Sequence, residues 1–374
     1  MSNNNPNNNN TNNNNANNDV NFSRLPVELG YRMPAEWEPH DAIWLSWPHD
    51  PLTFPNCVDK VESTYVKIIK EIHESENVNL FVKDSAMKDN VVNLLHAAGV
   101  DFAKLRFFVF DYADVWFRDY GPTFILNNDN KQELAMVNWI FNAWGDKYDT
   151  LIKDKAIPQI INKTLQLPCF SPPLVMEGGS FDVNGQGTLL TTEQCLLNTN
   201  RNPNLTRDDI ENYLKTHLGI THIIWLKNGI CGDDTDGHID DLARFVNPAT
   251  IVCAYEDNPE DQNYQALKGN YEILKNAKDQ NGNPLNIIKL PMPGPLLDDD
   301  EFTLLPASYT NFYIGNTKIL MPTFNHKNDV AALNILQELF PNRKVVGIDC
   351  TYLVNGYGTI HCISQQQPKP KTYP

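Results

Sequence analysis

One order of elements recurs along this chain about every 50 to 60 residues, and that repetition constrains the fold more than any single motif does. The order is a strand, an amphipathic helix, a second strand and then a polar motif. VNLFVK reads as a strand; Met87, Val91, Leu94, Leu95 and Ala98 follow at helical spacing and Gly99 closes the helix; LRFFVF reads as a buried strand, and DVWFRDYGP comes next. A later unit runs GTLLTTEQCLL, a helix with Ile210, Tyr213, Leu214 and Leu218 closed by Gly219, the strand ITHIIWL, and then GDDTDGHIDD. The last runs TKILMP, a helix with Ala332, Leu336, Leu339 and Phe340 stopped by Pro341, the strand KVVGI, and then GYGTIHC.

Two more units are legible with less chemistry behind them. AIWLSW leads to a helix with Val61, Tyr65, Ile68, Ile69 and Ile72, and TIVCAY leads to one with Tyr264, Leu267, Tyr271 and Leu274 before NIIKLP. The stretch 131–187 is the hardest to read, though its MEGGSFD fits the slot of the polar motif. Modules set around a pseudo-symmetry axis bring motifs in equivalent slots together. Asp119, Glu177, His238, Asp240 and Cys362 are therefore expected to meet although they lie far apart in the chain.

The asparagine tract at the start has too little apolar surface to offset the entropy of ordering it, so residues 1–21 are expected to form a disordered tail ahead of a globular remainder, 22–374, long enough for one large or two ordinary cores. A net charge of −16 argues against nucleic acid or an anionic membrane as partner and suits a small cationic ligand. No apolar run approaches the roughly 20 residues of a membrane span, so a soluble, cytoplasmic protein is expected. The seven cysteines are odd in number and widely spaced with no CxxC pair, which indicates neither a disulfide framework nor a zinc ribbon.

Cys362 is the candidate nucleophile, because a thiolate is intrinsically strong and its environment tunes it. Gly356 and Gly358 allow the backbone to turn there and bring the sulfur close to a substrate. A small apolar residue ending the last strand is the plain alternative. His361 adjoins it, but neighbours on a strand point to opposite faces, so His361 is not expected to be its partner. His238 and Asp240 share a face if GHIDD is extended. An EF-hand register with Gly237 sixth puts Gly232 first and Ala243 last, so calcium is rejected. In DVWFRDYGP, Asp119 is either one half of a surface pair with Arg118 or a carboxylate that receives a planar cation beneath an aromatic ring. Glu177 is either an incidental acid in a turn or a carboxylate lowered into a pocket. A thiol, an imidazole and three carboxylates mix soft and hard ligands without a usual metal spacing. They suit holding a guanidinium flat, attacking its carbon through sulfur, and moving protons to ammonia and from water.

Taken in order, RMPAEWEPHDAIWLSWP, WFRDYGPTF, MEGGSFD, LNTNRNP, GHIDDLARF and IHCISQQQP resemble the motifs of the agmatine deiminases, relatives of the bacterial-type peptidylarginine deiminases within the guanidine-modifying (pentein) superfamily. The resemblance implies an α/β fold, a five-bladed pseudo-symmetric α/β propeller with its active site at the central axis. It implies Cys362 as nucleophile, His238 as general acid and base, Asp119 and Asp240 on the guanidinium, Glu177 beside both histidine and substrate, and Trp116 as a substrate contact. It further implies no metal, no organic cofactor and a homodimer. The expected reaction is hydrolysis of agmatine to N-carbamoylputrescine and ammonia, feeding putrescine synthesis. One departure stands out: the family usually reads GGGNIHC, and this chain has Tyr357 and Thr359 in place of a glycine and the asparagine. The nearest rival is a deiminase of peptidyl or free arginine, for which Arg201 is a candidate to hold the α-carboxylate. A metal-dependent amidinohydrolase releasing urea, and a binding protein that keeps the fold without activity, are the other classes weighed.

Overall fold

Five small sheets carry the chain, and each follows one plan. The computed structural model describes residues 24–127, 133–298 and 302–370, so the expected asparagine tail lies outside the described residues. In each sheet a leading strand pairs antiparallel with a middle strand, which pairs parallel with a trailing one. The first sheet takes its leading strand, Gln365–Pro368, from the end of the chain and its middle and trailing strands, His40–Ser46 and Asn77–Val82, from near the beginning. The second contains Thr123–Asn127, Leu134–Val137 and Cys169–Phe170, and the third Phe181–Val183, Thr188–Thr192 and His222–Leu226. Ala243–Asn247, Thr250–Tyr255 and Asn286–Pro291 make the fourth, and Tyr313–Ile314, Lys318–Thr323 and Lys344–Asp349 the fifth.

A parallel pair needs a crossover, and a helix supplies it between middle and trailing strands. The helix Arg207–Leu218 shows how the sequence specifies one. Thr206 and Asp209 form a reciprocal capping box at its start, Ile210, Leu214 and Leu218 bury one face, and Gly219 ends it in the left-handed region at φ 68°. Burying those three side chains contributes roughly 1.5–3 kcal/mol each, which outweighs the weak intrinsic helicity of a short segment.

The repeat differs from the sequence reading in one respect. The units opened by AIWLSW and VNLFVK share a strand: His40–Ser46, Asn77–Val82 and Leu105–Val109 run parallel in one sheet, joined by the helices Val58–Ile72 and Ser85–Ala97. One blade therefore carries two crossovers. LRFFVF, expected to be buried, is the edge of that sheet; only Leu105 is fully buried and Val109 is 53% exposed.

Each leading strand is preceded by a tight polar turn, and bonds between these turns and strands close the five blades into a ring. Arg118 N donates to Cys362 O at 3.1 Å, linking second blade to first. Gly179 N donates to Asp119 Oδ1 at 3.0 Å, linking third to second. Phe245 N donates to Asp182 Oδ2 at 2.7 Å, and Thr310 Oγ1 donates to Asp240 O at 3.0 Å. His361 N donates to Asn311 O at 3.2 Å and completes the circuit. Blade packing thus fixes where the turns lie relative to one another.

Candidate active site

The five turns bring Asp119, Glu177, Asp240, Asn311 and Cys362 into equivalent slots. Asp119 lies in the helical turn Phe117–Tyr120, Glu177 caps the turn Gly178–Ser180, and His238 caps Ile239–Asp241, which contains Asp240. His238 and Asp240 do not share a face of an extended segment as the sequence reading assumed. They stand on either side of a 3-10 turn, and the turn brings both inward. Cys362 likewise sits in a turn between Thr359 and Ser364, not at the end of a strand.

Gly179 marks the centre of the cluster. A Cβ on that residue would lie 2.5 Å from His238 Nδ1, 2.9 Å from Asp119 Oδ1 and 3.1 Å from Asp240 Oδ2, so these three groups crowd the small volume beside its Cα and leave no room for a side chain. Around that volume, His238 Nδ1 is 3.7 Å from Asp119 Oδ1 and His238 Nε2 is 3.8 Å from Glu177 Oε2. The Cys362 sulfur is 3.8 Å from Asp240 Oδ2. Both ring nitrogens of His238, Glu177 Oε2 and Asp240 Oδ1 are buried without a hydrogen-bond partner. Such atoms are costly unless a ligand satisfies them.

A second layer holds the first in place. Trp144 Nε1 donates to Asp119 Oδ2 at 2.9 Å, and Arg201 Nε donates to Glu177 Oε1 at 2.7 Å, leaving Oε2 turned to His238. Asn311 uses all its bonding capacity. Its Nδ2 donates to the Cys362 sulfur and to Asp241 Oδ1, each at 3.0 Å, while Oδ1 accepts from Thr359 Oγ1 and from the backbone of His361 and Cys362. His361 bridges Asp240 and Glu36, and Glu36 also accepts from Arg244 at 2.7 Å.

Asn311, Trp144, Glu36 and the His361 bridge were missed by sequence reading. Asn311 occupies the fifth polar slot, but SYTN contains no acid, histidine or cysteine to draw attention to it. Arg118, beside Asp119, is no surface partner: it is buried, and its guanidinium donates to Gln366 Oε1 at 2.7 Å. Arg201, considered for a substrate carboxylate, is committed to Glu177, Asp236, Asn200 and the Thr235 carbonyl.

The electrostatics follow from burial. Desolvation pushes the Asp119 carboxyl up to about 6 against the pull of His238. For His238 burial works against the charged ring, but Asp119, Cys195 and Glu177 outweigh it and hold the imidazole well above its ordinary value. Burial also opposes charge on Glu177 and Asp240, yet Arg201 and His238 keep the first, and His361 the second, below the usual carboxylate range. The Cys362 thiol is pushed well above its usual value by burial and then by Asp240, Asp241 and Asp119. The resting site therefore pairs a neutral thiol with an imidazolium.

Cys362 and Asp119 floor a cavity of about 400 Å³. Trp116 and Trp144 flank it, and Tyr357 and Tyr148 stand further along the lining. Tyr357 holds a left-handed backbone at φ 70°, a conformation that costs a residue with a Cβ about 1–2 kcal/mol. Five aspartates, Asp50, Asp114, Asp119, Asp234 and Asp298, line the cavity; among the described residues none of its lining is Lys, Arg or His.

Five mixed sheets in a ring, with a cysteine, a histidine and acids converging from the turns, define a guanidine-modifying α/β propeller, the pentein class. The distant likeness to an amidinotransferase of Microseira wollei, at 12% identity and a TM-score of 0.51, agrees on the fold. The model of the Porphyromonas-type peptidyl-arginine deiminases matches residues 32–368, and the chain belongs to that family. It is 38% identical over 362 residues to the agmatine deiminase of Pseudomonas syringae, covering 91% of this chain and 96% of that one. With the agmatine deiminase of Medicago truncatula it shares 36% identity over 380 residues, covering 93% and 99%. The solved structure of the Enterococcus faecalis agmatine deiminase superimposes with a TM-score of 0.87 at 31% identity, covering 94% of this chain and 99% of that one. Among the described residues no helix is long and apolar enough to cross a membrane.

Proposed function

We infer that this chain is an agmatine deiminase, a hydrolase that converts agmatine to N-carbamoylputrescine and ammonia through a covalent thiouronium on Cys362. The observation that carries the reading is the convergence of Asp119, His238 and Asp240 around Gly179, with the Cys362 sulfur 3.8 Å from Asp240 Oδ2 and a cavity of about 400 Å³ lined by Cys362 and Asp119. A planar guanidinium at the inner end of that cavity suits the arrangement, because two carboxylates can accept its N–H groups in plane while the sulfur approaches its carbon.

The charge balance suggests how the nucleophile is made. The acids that hold Cys362 neutral are the ones a guanidinium would neutralise, so the arriving cation lowers the cost of a thiolate beside it and the thiol proton leaves to solvent. The thiolate adds to the guanidinium carbon. His238, already protonated, gives its proton to one amino group, which departs as ammonia and leaves the carbon bonded to sulfur. Neutral His238, with Glu177 beside Nε2, then takes a proton from water; the hydroxyl adds to the carbon, the C–S bond breaks as the hydroxyl proton passes to the departing sulfur, and the ureido product is released with thiol and imidazolium restored.

Agmatine fits the cavity better than arginine does. Besides Asp119 the lining offers four aspartates to its distal ammonium and no cation to an α-carboxylate, which Arg201 cannot supply while it holds Glu177. Ammonia release from agmatine, free arginine and a C-terminal arginine peptide, measured side by side with Cys362→Ala as control, tests this. Agmatine is expected to exceed both others at least 100-fold in kcat/KM, on the order of the 3 kcal/mol that an unpaired buried charge costs. Turnover of the peptide alone, or residual turnover by Cys362→Ala, refutes it.

A further inference from the structure

Cys195 plays no part in the reaction above, yet it sits against the general acid. The Cys195 sulfur, a ring nitrogen of His238 and a carboxylate oxygen of Glu177 all lie within 4.8 Å of one another, and all three residues are buried. Glu177 Oε2 and both nitrogens of His238 have no hydrogen-bond partner. Glu177 Oε2 and His238 Nε2 are already 3.8 Å apart, close to the separation of two ligands on one tetrahedral ion with bonds of about 2.0–2.3 Å. One sulfur, one imidazole and one carboxylate are a donor set suited to zinc or cadmium and poorly suited to magnesium or calcium.

We propose that Glu177, Cys195 and His238 form a binding site for a soft divalent cation, zinc in its chemistry, and that filling it shuts the enzyme off. The ion takes the lone pair of His238 and the free oxygen of Glu177, the groups that protonate ammonia and activate water. The binding half of this stands alone, while the inhibition half rests on the role given to His238 above.

Protons account for the charge. His238 carries a proton in the resting site, Cys195 is held as a thiol by burial, and Glu177 is ionised beside Arg201. A dication that enters and displaces the imidazolium proton and the thiol proton to solvent leaves the buried charge unchanged. A dication added without proton release would instead face Arg201, whose Nε lies 2.7 Å from Glu177 Oε1. Binding therefore tightens as pH rises, by at most about a hundredfold per pH unit for two protons released.

The other sulfur-bearing cluster, Cys362 with Asp240 and Asp241, is as compact. Its carboxylates are already engaged, Asp240 by His361 and Asp241 by Asn311. It also coincides with the substrate position, so agmatine would compete for it.

The test uses the full chain in buffers that do not chelate metals. Zinc chloride is expected to inhibit agmatine turnover, reversibly with chelator and more strongly at pH 8 than at pH 6.5. Cys195→Ala, normalised to its own metal-free rate, should need at least tenfold more zinc for half inhibition, and Cys195→Ser, which keeps the side chain's size, should behave alike. Cadmium added to Cys362→Ala should give a thiolate-to-metal charge-transfer absorbance that is lost when Cys195→Ala is added. An unshifted half-inhibition in both Cys195 variants overturns the proposal, and so does an absorbance that vanishes with Cys362→Ala alone or survives the double substitution. The cadmium measurement needs no turnover, so it separates failure of this site from failure of the agmatine assignment.

Discussion

His361 Nδ1 lies 2.7 Å from Asp240 Oδ2 while its Nε2 lies 2.8 Å from Glu36 Oε2, so one imidazole is clamped between two buried carboxylates. The clamp fixes Asp240 with its Oδ2 3.8 Å from the Cys362 sulfur. Replacing the ring by a shorter amide, His361→Asn, removes the reach to Glu36 and frees Asp240 to rotate. A 10- to 100-fold loss in kcat/KM for agmatine is expected, about 1.4–3 kcal/mol, expressed mainly in KM on the proposal that Asp240 holds substrate. Steady-state kinetics check it, and a change in kcat alone would contradict the positioning role.

Gly179 should tolerate no side chain. Its backbone needs no unusual φ, yet an alanine Cβ would stand 2.5 Å from His238 Nδ1 and 2.9 Å from Asp119 Oδ1 and would displace both. Gly179→Ala is expected to cut kcat/KM at least 100-fold, with overpacking costing about 1–3 kcal/mol of stability at most. Thermal unfolding together with the agmatine assay separates the two effects.

Asn311 is expected to tune the nucleophile. It donates to the Cys362 sulfur at 3.0 Å, a bond that favours thiolate over thiol. Asn311→Ala should slow alkylation of Cys362 by a haloacetamidine and lower kcat by about 10-fold, roughly 1.4 kcal/mol. Asn311→Asp should do worse, since another acid beside the sulfur raises the thiol further. Mass spectrometry of the adduct against time reads both.

The acid limb of activity should follow Asp119. Its carboxyl is pushed up to about 6 by burial in the empty site, and the guanidinium requires the ionised form. Below pH 6 the substrate must displace a proton from Asp119 as well as from the Cys362 thiol, so kcat/KM is expected to fall about a hundredfold per pH unit there and about tenfold per unit above, until the thiol itself titrates. Trp144→Phe removes the 2.9 Å bond to the carboxylate, and the limb should move to higher pH. A limb unmoved by that substitution would assign it to another group.

The stability contribution of Asp119 has the opposite sign. Because its folded value lies above that of an unfolded aspartate, the protonated form favours folding, and that contribution is lost as pH rises from about 4 through 6. Asp119→Asn keeps an uncharged polar side chain in the site. It should flatten the fall of Tm between pH 4 and 6 while abolishing turnover.

Much of this was legible in the chain because the repeat sets both the fold and the site. Apolar spacing at Ile210, Leu214 and Leu218 announced a helix, and polar motifs behind the trailing strands marked four of the five slots. Asn311 went unread because an amide acting through hydrogen bonds has no signature beyond its place. Glu36 and Arg244 went unread because their partners lie hundreds of residues away: Glu36 meets His361 and Ile314 N, and sequence distance hides such pairs. The GHIDD turn was misjudged as extended because His238 to Asp241 carries no glycine or proline to flag the bend, while the ring of turn-to-turn bonds imposes it.

The last strand, Gln365–Pro368, pairs with His40–Ser46, and Cys362 stands three residues before it. Synthesis therefore delivers the sulfur proposed as nucleophile and the seam that closes the circle together, after the strands of the other four sheets have been made. An unfinished chain cannot be a partly active one, and a stop codon anywhere upstream removes the chemistry along with the closure.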